Sequence, residues 1–261
     1  MKQLKLCLVG IGNVSWHLAK GLSAFFNEPI KVWGRNFQET KKFAKETSSQ
    51  ACIDLETACS SSDIIILAIS DRAIPDLSQE LEKYKNALIV HTSGSVAMDV
   101  FKGNKSHGVF YPLNTFTRYS ELDWDNTPFF LEANGVKERE ILQDLACLLS
   151  KDIRFIDSET RKSLHIAAVF AGNFTNFFYS MAEELLEDNN LSLDLLRPLI
   201  KQTAEKVMTD SPRKIQTGPA ARKDFIVMQS HLEGLEKKKK FQHIYKLISE
   251  YIIGEEIKSD E

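Results

Sequence analysis

The sequence has few cysteines, and their spacing matches neither a metal site nor a disulfide framework. The four cysteines among 261 residues are Cys7, Cys52, Cys59 and Cys147. They form no C-x-x-C pair, which is the usual mark of zinc sites and redox-active dithiols, and most of them lie in apolar runs. We therefore expect reduced structural thiols, no metal, and a reducing, cytoplasmic location.

Long apolar segments are also missing. A membrane-spanning helix needs roughly 18 consecutive apolar residues, and no run in the chain approaches that length. The first run, LCLV, leads directly into glycines and has no small-residue cleavage pattern, so we interpret it as a strand and not as a signal peptide. No membrane partner is predicted.

The chain has little net charge. Its 33 basic and 36 acidic residues leave a formal charge of -3, which lacks the basic excess typical of nucleic-acid-binding domains. One run of four lysines, 237–240, raises nucleic-acid binding as an alternative. A single lysine run on a helix is usually a solvated face, so no nucleic-acid partner is predicted.

Short apolar runs alternate with helical patterns up to about residue 156, which predicts βα units and a mainly parallel sheet. Ile64 to Ile69 is apolar at every position, as expected for a central strand covered on both faces. The predicted strands contain the segments LKLCLV, IKVWG, DIIILAIS, ALIVHTS, GVFYP, FFLEA and IRFI.

After residue 156 the strand pattern ends, and helices are predicted at about 158–188, 192–209, 219–236 and 239–252. Asp157 offers an N-cap for the first of them. The fold class is therefore α/β: a doubly wound Rossmann domain at 1–156, followed by an all-α dimerisation domain at 157–261.

A glycine-rich turn follows the first predicted strand. Gly10, Ile11, Gly12, Asn13 and Val14 precede a helical pattern, which is the context that a dinucleotide-binding fingerprint requires. Gly10 would permit the tight turn, and Gly12 would let a pyrophosphate approach the helix N-terminus. A small residue, serine, replaces the third glycine of the motif.

The end of the second strand reads Gly34-Arg35-Asn36, without the acid that accepts the ribose 2′-hydroxyl of NAD. A guanidinium can instead bind a 2′-phosphate through two hydrogen bonds. We therefore predict NADP(H) as the cofactor, although Arg35 facing solvent or stacking on adenine is the alternative.

Two further loops follow predicted strands and should border the same cleft. Ile69 and Ser70 are expected to cover the dinucleotide backbone, and Ser93 and Gly94 to hold a substrate anion. Ordinary turn and N-cap roles for Ser93 and Gly94 are equally compatible with the sequence.

Taken together, six segments resemble Rossmann-type NADP oxidoreductases that carry a C-terminal helical domain of unknown function. They are GIGNVSWHLA, DIIILAISDRAI, HTSGSV, FYPLNTFT, LHIAAVFAGNFTNFF and TGPAARKD. The nucleotide half is similar to pyrroline-5-carboxylate reductase and deazaflavin-dependent NADP oxidoreductases. The helical half resembles 6-phosphogluconate-dehydrogenase-like domains, which implies a homodimer through long helices.

The resemblance fails at the catalytic pair of β-hydroxyacid dehydrogenases, a lysine followed four residues later by asparagine. Lys162 is followed at that spacing by Ile166. At about 100° per residue, a uniform helix instead brings His165 and Asn176 to one stripe, with Asn173 beside it. His165 and Asn173 are the candidate catalytic residues, and Asn176 a candidate substrate ligand, unless all three are buried structural residues.

The sequence thus predicts an NADP(H)-dependent oxidoreductase that transfers hydride to or from a small, anionic metabolite. His165 would act as general acid or base. The alternative is a non-catalytic NADP(H)-binding sensor or scaffold, which the missing lysine–asparagine pair favours.

Overall fold

The computed structural model describes residues 3–254, and its first part is built around one eight-stranded sheet. The strand order is β3-β2-β1-β4-β5-β6-β7-β8, and all neighbouring pairs are parallel except β6 and β7. The strands are β1 Leu6–Val9, β2 Lys31–Trp33, β3 Gln50–Ala51, β4 Ile64–Leu67, β5 Leu88–His91, β6 His107–Pro112, β7 Phe129–Ala133 and β8 Ile153–Phe155.

This sheet confirms the predicted α/β class and the mid-sheet position of β4. Leu8 pairs with Val32 on one side and Ile66 on the other. The chain therefore runs from β1 to β2 and β3 on one side, and then crosses to β4 on the other side of β1. The carboxyl ends of strands at such a switch point form the crevice in which open α/β sheets bind ligands.

Successive side chains of a strand point to opposite faces of the sheet. Because apolar side chains lie on both faces here, helices cover both. On β1, Leu6 and Leu8 join one buried cluster, whereas Cys7 and Val9 join the other. The helices of this part are α1 Asn13–Leu22, α2 Phe37–Thr47, α3 Leu55–Cys59, α4 Ile74–Leu81, α5 Val136–Cys147 and α6 Ser158–Ala168. Short 3-10 turns occupy Ser23–Phe25, Asp71–Ala73 and Met98–Phe101.

A π-helical segment, Val169–Phe174, follows α6. Beyond it come only helices in the described residues, as the sequence predicts: α7 Thr175–Glu187, a 3-10 turn Leu193–Leu195, α8 Arg197–Thr209, α9 Phe225–Gly234 and α10 Lys239–Ile253. Within residues 3–254, no helix is both long and apolar enough to cross a membrane.

The chain divides into two compact units, Met1–Asn173 and Phe174–Glu261, so the division falls later than the predicted boundary after residue 156. Asp157 caps α6 as predicted, accepting a hydrogen bond from the Thr160 amide. However, α6 packs on the sheet, because Arg161 is fully buried and pairs with Glu132 of β7. This ion pair keeps the first helix after the last strand within the sheet unit.

The cysteines are free, as predicted for structural thiols. Cys7, Cys52 and Cys59 are buried in the sheet unit, whereas Cys147 is exposed at the end of α5. Three of the four thiols therefore serve as small apolar side chains of the core.

Candidate functional site

A cleft of about 1040 Å³ opens where the strands of the sheet unit end. Its lining comes from the loops that follow β1, β2, β4, β5 and β6, together with α4 and α6. Among the predicted cofactor residues, it includes 10–14, Gly34, Arg35, Ile69 and Ser70. This is the crevice that the strand order predicts for a bound dinucleotide.

The turn after β1 is shaped by its two glycines. Gly10 has φ +112°, and a β-carbon there would lie 2.3 Å from the carbonyl oxygen of Ala68, so only glycine fits. Gly12 is the N-cap of α1 without any side-chain cap, and no atom lies within 4 Å of where its β-carbon would be. The first amides of α1 are therefore left for an anion, in open space.

Ser15 stands where the dinucleotide motif has its third glycine. It is fully buried in the first turns of α1, and its hydroxyl has no hydrogen-bond partner within the described chain. A small side chain lets α1 pack closely against the sheet. The turn, the open space at Gly12 and the uncapped helix together fit the pyrophosphate of a dinucleotide.

The end of β2 offers one cation to the cleft. The Arg35 side chain is exposed and lines the cleft beside Gly34, whose β-carbon position is 3.0 Å from the Thr40 hydroxyl. Asn36, a predicted cofactor residue, instead caps α2 by accepting hydrogen bonds from the Gln38 and Glu39 amides. Asn36 is not among the described lining residues, so this end of the cleft depends on Arg35.

The loop after β5 is a tight turn held by its own polar groups. The Ser93 amide donates to Nδ1 of His91 at 3.1 Å, and the Ser93 Oγ accepts from the amides of Ser95 and Val96, each at 3.0 Å. Ser93 lines the cleft, and within residues 3–254 its hydroxyl accepts these bonds without donating one. The turn role that the sequence left open is therefore present, and a ligand role is limited to donation.

Gly94 and His165 are brought together although they lie far apart in the chain. A β-carbon on Gly94 would be 2.5 Å from the His165 Cγ, so the imidazole sits directly on the glycine backbone. The Nδ1 of His165 is 2.9 Å from the hydroxyl of Tyr111, at the end of β6. All three residues line the cleft.

Tyr111 lines the cleft but is not among the residues predicted from the sequence. Its only sequence signal is a hydroxyl-bearing aromatic near the end of the apolar strand GVFYP. Burial raises the pKa of Tyr111 to about 12, with the Arg161 guanidinium opposing this shift and the Asp71 carboxylate adding to it. Tyr111 is thus a neutral phenol at physiological pH, able to donate to or accept from His165.

Arg161 lies one helical turn before His165 and anchors α6. Besides pairing with Glu132, it donates to the Val96 carbonyl oxygen at 2.5 Å and to the Ser158 hydroxyl at 3.1 Å. These bonds tie α6 to β7 and to the loop that carries Gly94. Mainly through burial, and secondarily through Arg161, the pKa of the nearby His91 falls to about 3.

Asn173 is not brought to this site, and Asn176 belongs to the other compact unit. Both are exposed, and neither is among the described residues that line the cleft. The predicted stripe assumed a uniform α-helix, but residues 169–174 form a π-helical segment, which changes the angle per residue. The apolar side chains of Ile166 and Phe170 near this segment are 52% and 63% exposed.

Acidic groups outnumber basic ones along the described cleft lining. Asp71, Asp76 and Glu80 line it, whereas Arg35 is the one lysine or arginine among those residues. In the described residues, no group of three or more histidine, cysteine or acidic side chains is placed to hold a metal ion. The hydroxyl, imidazole and carboxylate groups of the described lining can supply proton transfer and hydrogen bonding.

A glycine turn at a Rossmann switch point, an arginine in place of the ribose-reading acid, and a phenol–imidazole pair in one cleft define a dinucleotide-dependent oxidoreductase. Comparison with known proteins gives the family. Residues 5–94 match the family described as NADP oxidoreductase, coenzyme F420-dependent, and residues 127–252 match a domain of unknown function, DUF2520. A search of curated proteins finds no significant match.

The chain is 37% identical to a Bacteroides fragilis protein whose crystal structure is provisionally assigned as an NADP oxidoreductase. The TM-score is 0.92, and the alignment covers 97% of this chain and 99% of that one. The chain therefore belongs to this family of NADP oxidoreductases, with a DUF2520 domain following the nucleotide-binding domain. The predicted enzyme class and cofactor, NADP(H), are confirmed.

Two more distant structures share the fold. Pyrroline carboxylate reductase of Plasmodium falciparum, solved with NADP bound, is 17% identical, with TM-score 0.59 and coverage of 97% of each chain. A reductive aminase of Aspergillus terreus, in complex with NADPH and ethyl levulinate, is 14% identical, with TM-score 0.67. That alignment covers 98% of this chain and 96% of the aminase.

Proposed function

We propose that the protein reduces a carbon–oxygen or carbon–nitrogen double bond of a small metabolite with NADPH, bound in the cleft of the sheet unit. The observation that carries this proposal is the 2.9 Å contact between the Tyr111 hydroxyl and Nδ1 of His165, in the cleft that contains the Gly10–Val14 turn. Proton donors and a dinucleotide turn in one cleft are the two requirements of a hydride-transfer reductase.

NADPH, when bound, supplies the hydride. The protein then has to supply a proton to the oxygen or nitrogen that gains charge. A protonated His165 can donate its Nδ1 hydrogen to the Tyr111 oxygen and its Nε2 hydrogen to the substrate. After that transfer the imidazole is neutral and keeps its bond to Tyr111, so the pair remains ordered through the cycle.

We infer the substrate class from the groups that surround this pair and from the relatives of the same fold. The acidic residue Asp71 also lines the cleft and would repel an anion. The predicted anionic substrate would therefore have to be held by the Ser93 hydroxyl and the backbone of Gly94. The relatives of the same fold include a reductase named for pyrroline carboxylate, a cyclic imine acid, and an aminase crystallised with a keto ester. Imines and ketones are therefore the compounds to test first.

A non-catalytic NADP(H) sensor is the alternative function. Its support is the missing lysine–asparagine pair, since Lys162 is followed four residues later by Ile166. The Tyr111–His165 pair favours the enzyme, because a sensor has no need for paired proton donors beside the cofactor cleft. Asn173 and Asn176 remain proposals for substrate contact that the cleft of the sheet unit does not support.

The experiment is a screen of 2-oxo acids, hydroxy acids, keto esters and cyclic imines for substrate-dependent oxidation or formation of NADPH. Wild type and His165→Ala are assayed side by side. We expect turnover of at least one compound by wild type that is strongly reduced in the variant. Tight NADPH binding without turnover of any compound class would instead support the sensor.

We further propose that the protein is a homodimer and that it works in a reducing, cytoplasmic compartment. In the described part of the second unit, only Ala220 and Met228 are buried apolar side chains, whereas Met208, Ile226 and Tyr251 are 84%, 86% and 81% exposed. So small a buried core contributes little stability to a unit of 88 residues. A second copy of the chain, packed on these helices, would supply the missing burial.

Light scattering tests the dimer. We expect a dimer mass for wild type and a shift toward monomer for Ile226→Glu, which places a charge in the proposed interface. Val136→Glu, at a position 76% exposed on α5, is the matched control and should leave the mass unchanged. A wild-type protein that stays monomeric at all concentrations would refute the proposal.

A further inference from the structure

The segment between β6 and β7, residues 113–128, reaches the first turns of α1. The Asn13 side-chain amide donates to the Phe116 carbonyl oxygen at 2.9 Å. One turn further along α1, Nε2 of His17 lies 3.0 Å from the Thr117 carbonyl oxygen. Two consecutive carbonyls of this segment are therefore bonded to the helix whose N-terminus borders the cofactor cleft.

The next residue of the segment, Arg118, contacts the glycine turn itself. Its Nη2 donates to the Ile11 carbonyl oxygen at 2.6 Å, and its guanidinium carbon lies 5.7 Å from the centre of the Phe43 ring. Arg118 forms no ion pair with any described carboxylate. A partly buried cation with no neutralising partner thus lies behind the turn that would receive a pyrophosphate.

The carbonyl that Arg118 binds and the Gly12 amide belong to the same peptide group. The described residues contain no cis peptide, so the oxygen of Ile11 and the hydrogen of Gly12 point in opposite directions. A charged donor on the oxygen fixes the plane of this peptide. It also polarises the group, which strengthens the amide hydrogen as a donor on the opposite side.

We propose that Arg118 is a positioning residue for the cofactor: it orients and polarises the Ile11–Gly12 peptide so that the Gly12 amide binds the dinucleotide pyrophosphate. The role rests on the NADP(H) assignment and is separate from that of Arg35. Arg35 would read the 2′-phosphate, which only NADP(H) carries, whereas Arg118 acts on a group common to NADP(H) and NAD(H).

The test is calorimetric titration of NADPH and of NADH into wild type, Arg118→Ala, Arg118→Gln and Arg118→Lys. Loss of a hydrogen bond from a charged donor should weaken binding by roughly tenfold or more. We expect Arg118→Ala to weaken both cofactors by a similar factor, Arg118→Lys to restore most of the affinity, and Arg118→Gln to fall between them. When salt is added, wild type and the lysine variant should also lose more affinity than the alanine and glutamine variants do, because only the former two carry the screened charge.

Two controls separate this role from general damage. Arg139→Ala removes an arginine on α5 that packs over Phe155, away from the described cleft lining, and should leave both affinities unchanged. Thermal melting identifies any variant that is poorly folded; if Arg118→Ala is, the lysine and glutamine variants carry the comparison.

Three results would overturn the proposal: unchanged affinities in Arg118→Ala, an equal loss in Arg139→Ala, or a loss confined to NADPH. The last result would move Arg118 to the 2′-phosphate. Wild type that binds neither cofactor would contradict the proposed function instead, so the two failures are distinguishable.

Discussion

Gly94 lies directly under the imidazole of His165, where a β-carbon would stand 2.5 Å from Cγ and 2.6 Å from Nδ1. Glycine is needed here for space and not for an unusual backbone conformation, since Gly94 has no positive φ. The contact joins the loop after β5 to α6. It holds the imidazole of His165 in close packing contact with the backbone of Gly94.

The Gly94→Ala variant should therefore displace His165. We expect turnover to fall by about 10- to 100-fold, because shifts of about 1 Å in a catalytic group have effects of this size. NADPH affinity should stay close to that of wild type. Gly234→Ala is the control, since no atom lies within 4 Å of its β-carbon position. Normal turnover in Gly94→Ala would show that the position of His165 does not matter.

Arg35→Ala tests the cofactor preference. The Arg35 guanidinium is exposed at the end of β2 and is the one lysine or arginine among the described lining residues. Wild type should bind NADPH more tightly than NADH, and the variant should lose roughly tenfold or more for NADPH with little change for NADH. Equal affinities in wild type, or an unchanged preference in the variant, would refute the assignment of Arg35.

Most of the fold was predictable because its signals are local. Apolar runs with glycine turns identified seven strands, and Asp157 marked the start of α6. The two-residue strand Gln50–Ala51 was missed, since its pairing with β2 leaves almost no pattern in the sequence. The place of the division was not predicted either, because the pair that holds α6 on the sheet, Arg161 and Glu132, joins distant segments of the chain.

Several parts of the site were predictable: Ile69, Ser70, Ser93, Gly94 and His165 all line the cleft. Residues 10–14 and Arg35 act through local geometry, and they line the cleft. Tyr111 and Arg118 could not be assigned, because their partners lie on distant segments of the chain. The stripe with Asn173 failed because nothing in the sequence revealed the π-helical segment at 169–174.

His91 should make stability depend on pH. Its pKa falls from an ordinary value of 6.5 to about 3 in the folded protein, chiefly through burial. Between these two values the unfolded chain binds more protons than the folded one, so stability falls as pH is lowered through this window and is fully present above it. Denaturant midpoints at about pH 7.5 and about pH 5 measure the effect.

We expect the midpoint of wild type to fall more between these two conditions than that of His91→Asn, which keeps an acceptor near the Ser93 amide. His243→Asn changes an exposed histidine and should behave like wild type. If His91→Asn has the same pH dependence as wild type, other groups control acid stability.

The Tyr111–His165 pair gives the most direct test of catalysis. If His165 passes a proton to the substrate, His165→Ala should lower turnover by roughly 10²- to 10⁴-fold while NADPH affinity is retained. Tyr111→Phe removes only the hydroxyl and should have a smaller effect. Because the two groups act as a unit, the double variant should be little worse than His165→Ala alone.

A structural role would give different results. Removing a histidine that only fills the core costs about 1 to 3 kcal/mol of stability, and activity then follows the folded fraction. Denaturant midpoints are therefore measured beside turnover for every variant. His231→Ala is the matched control, since His231 makes the same 2.9 Å bond to a tyrosine hydroxyl, that of Tyr245, in the helical unit. Lost stability with normal turnover per folded molecule would assign His165 to the core and leave the proton donor of the cleft to Tyr111.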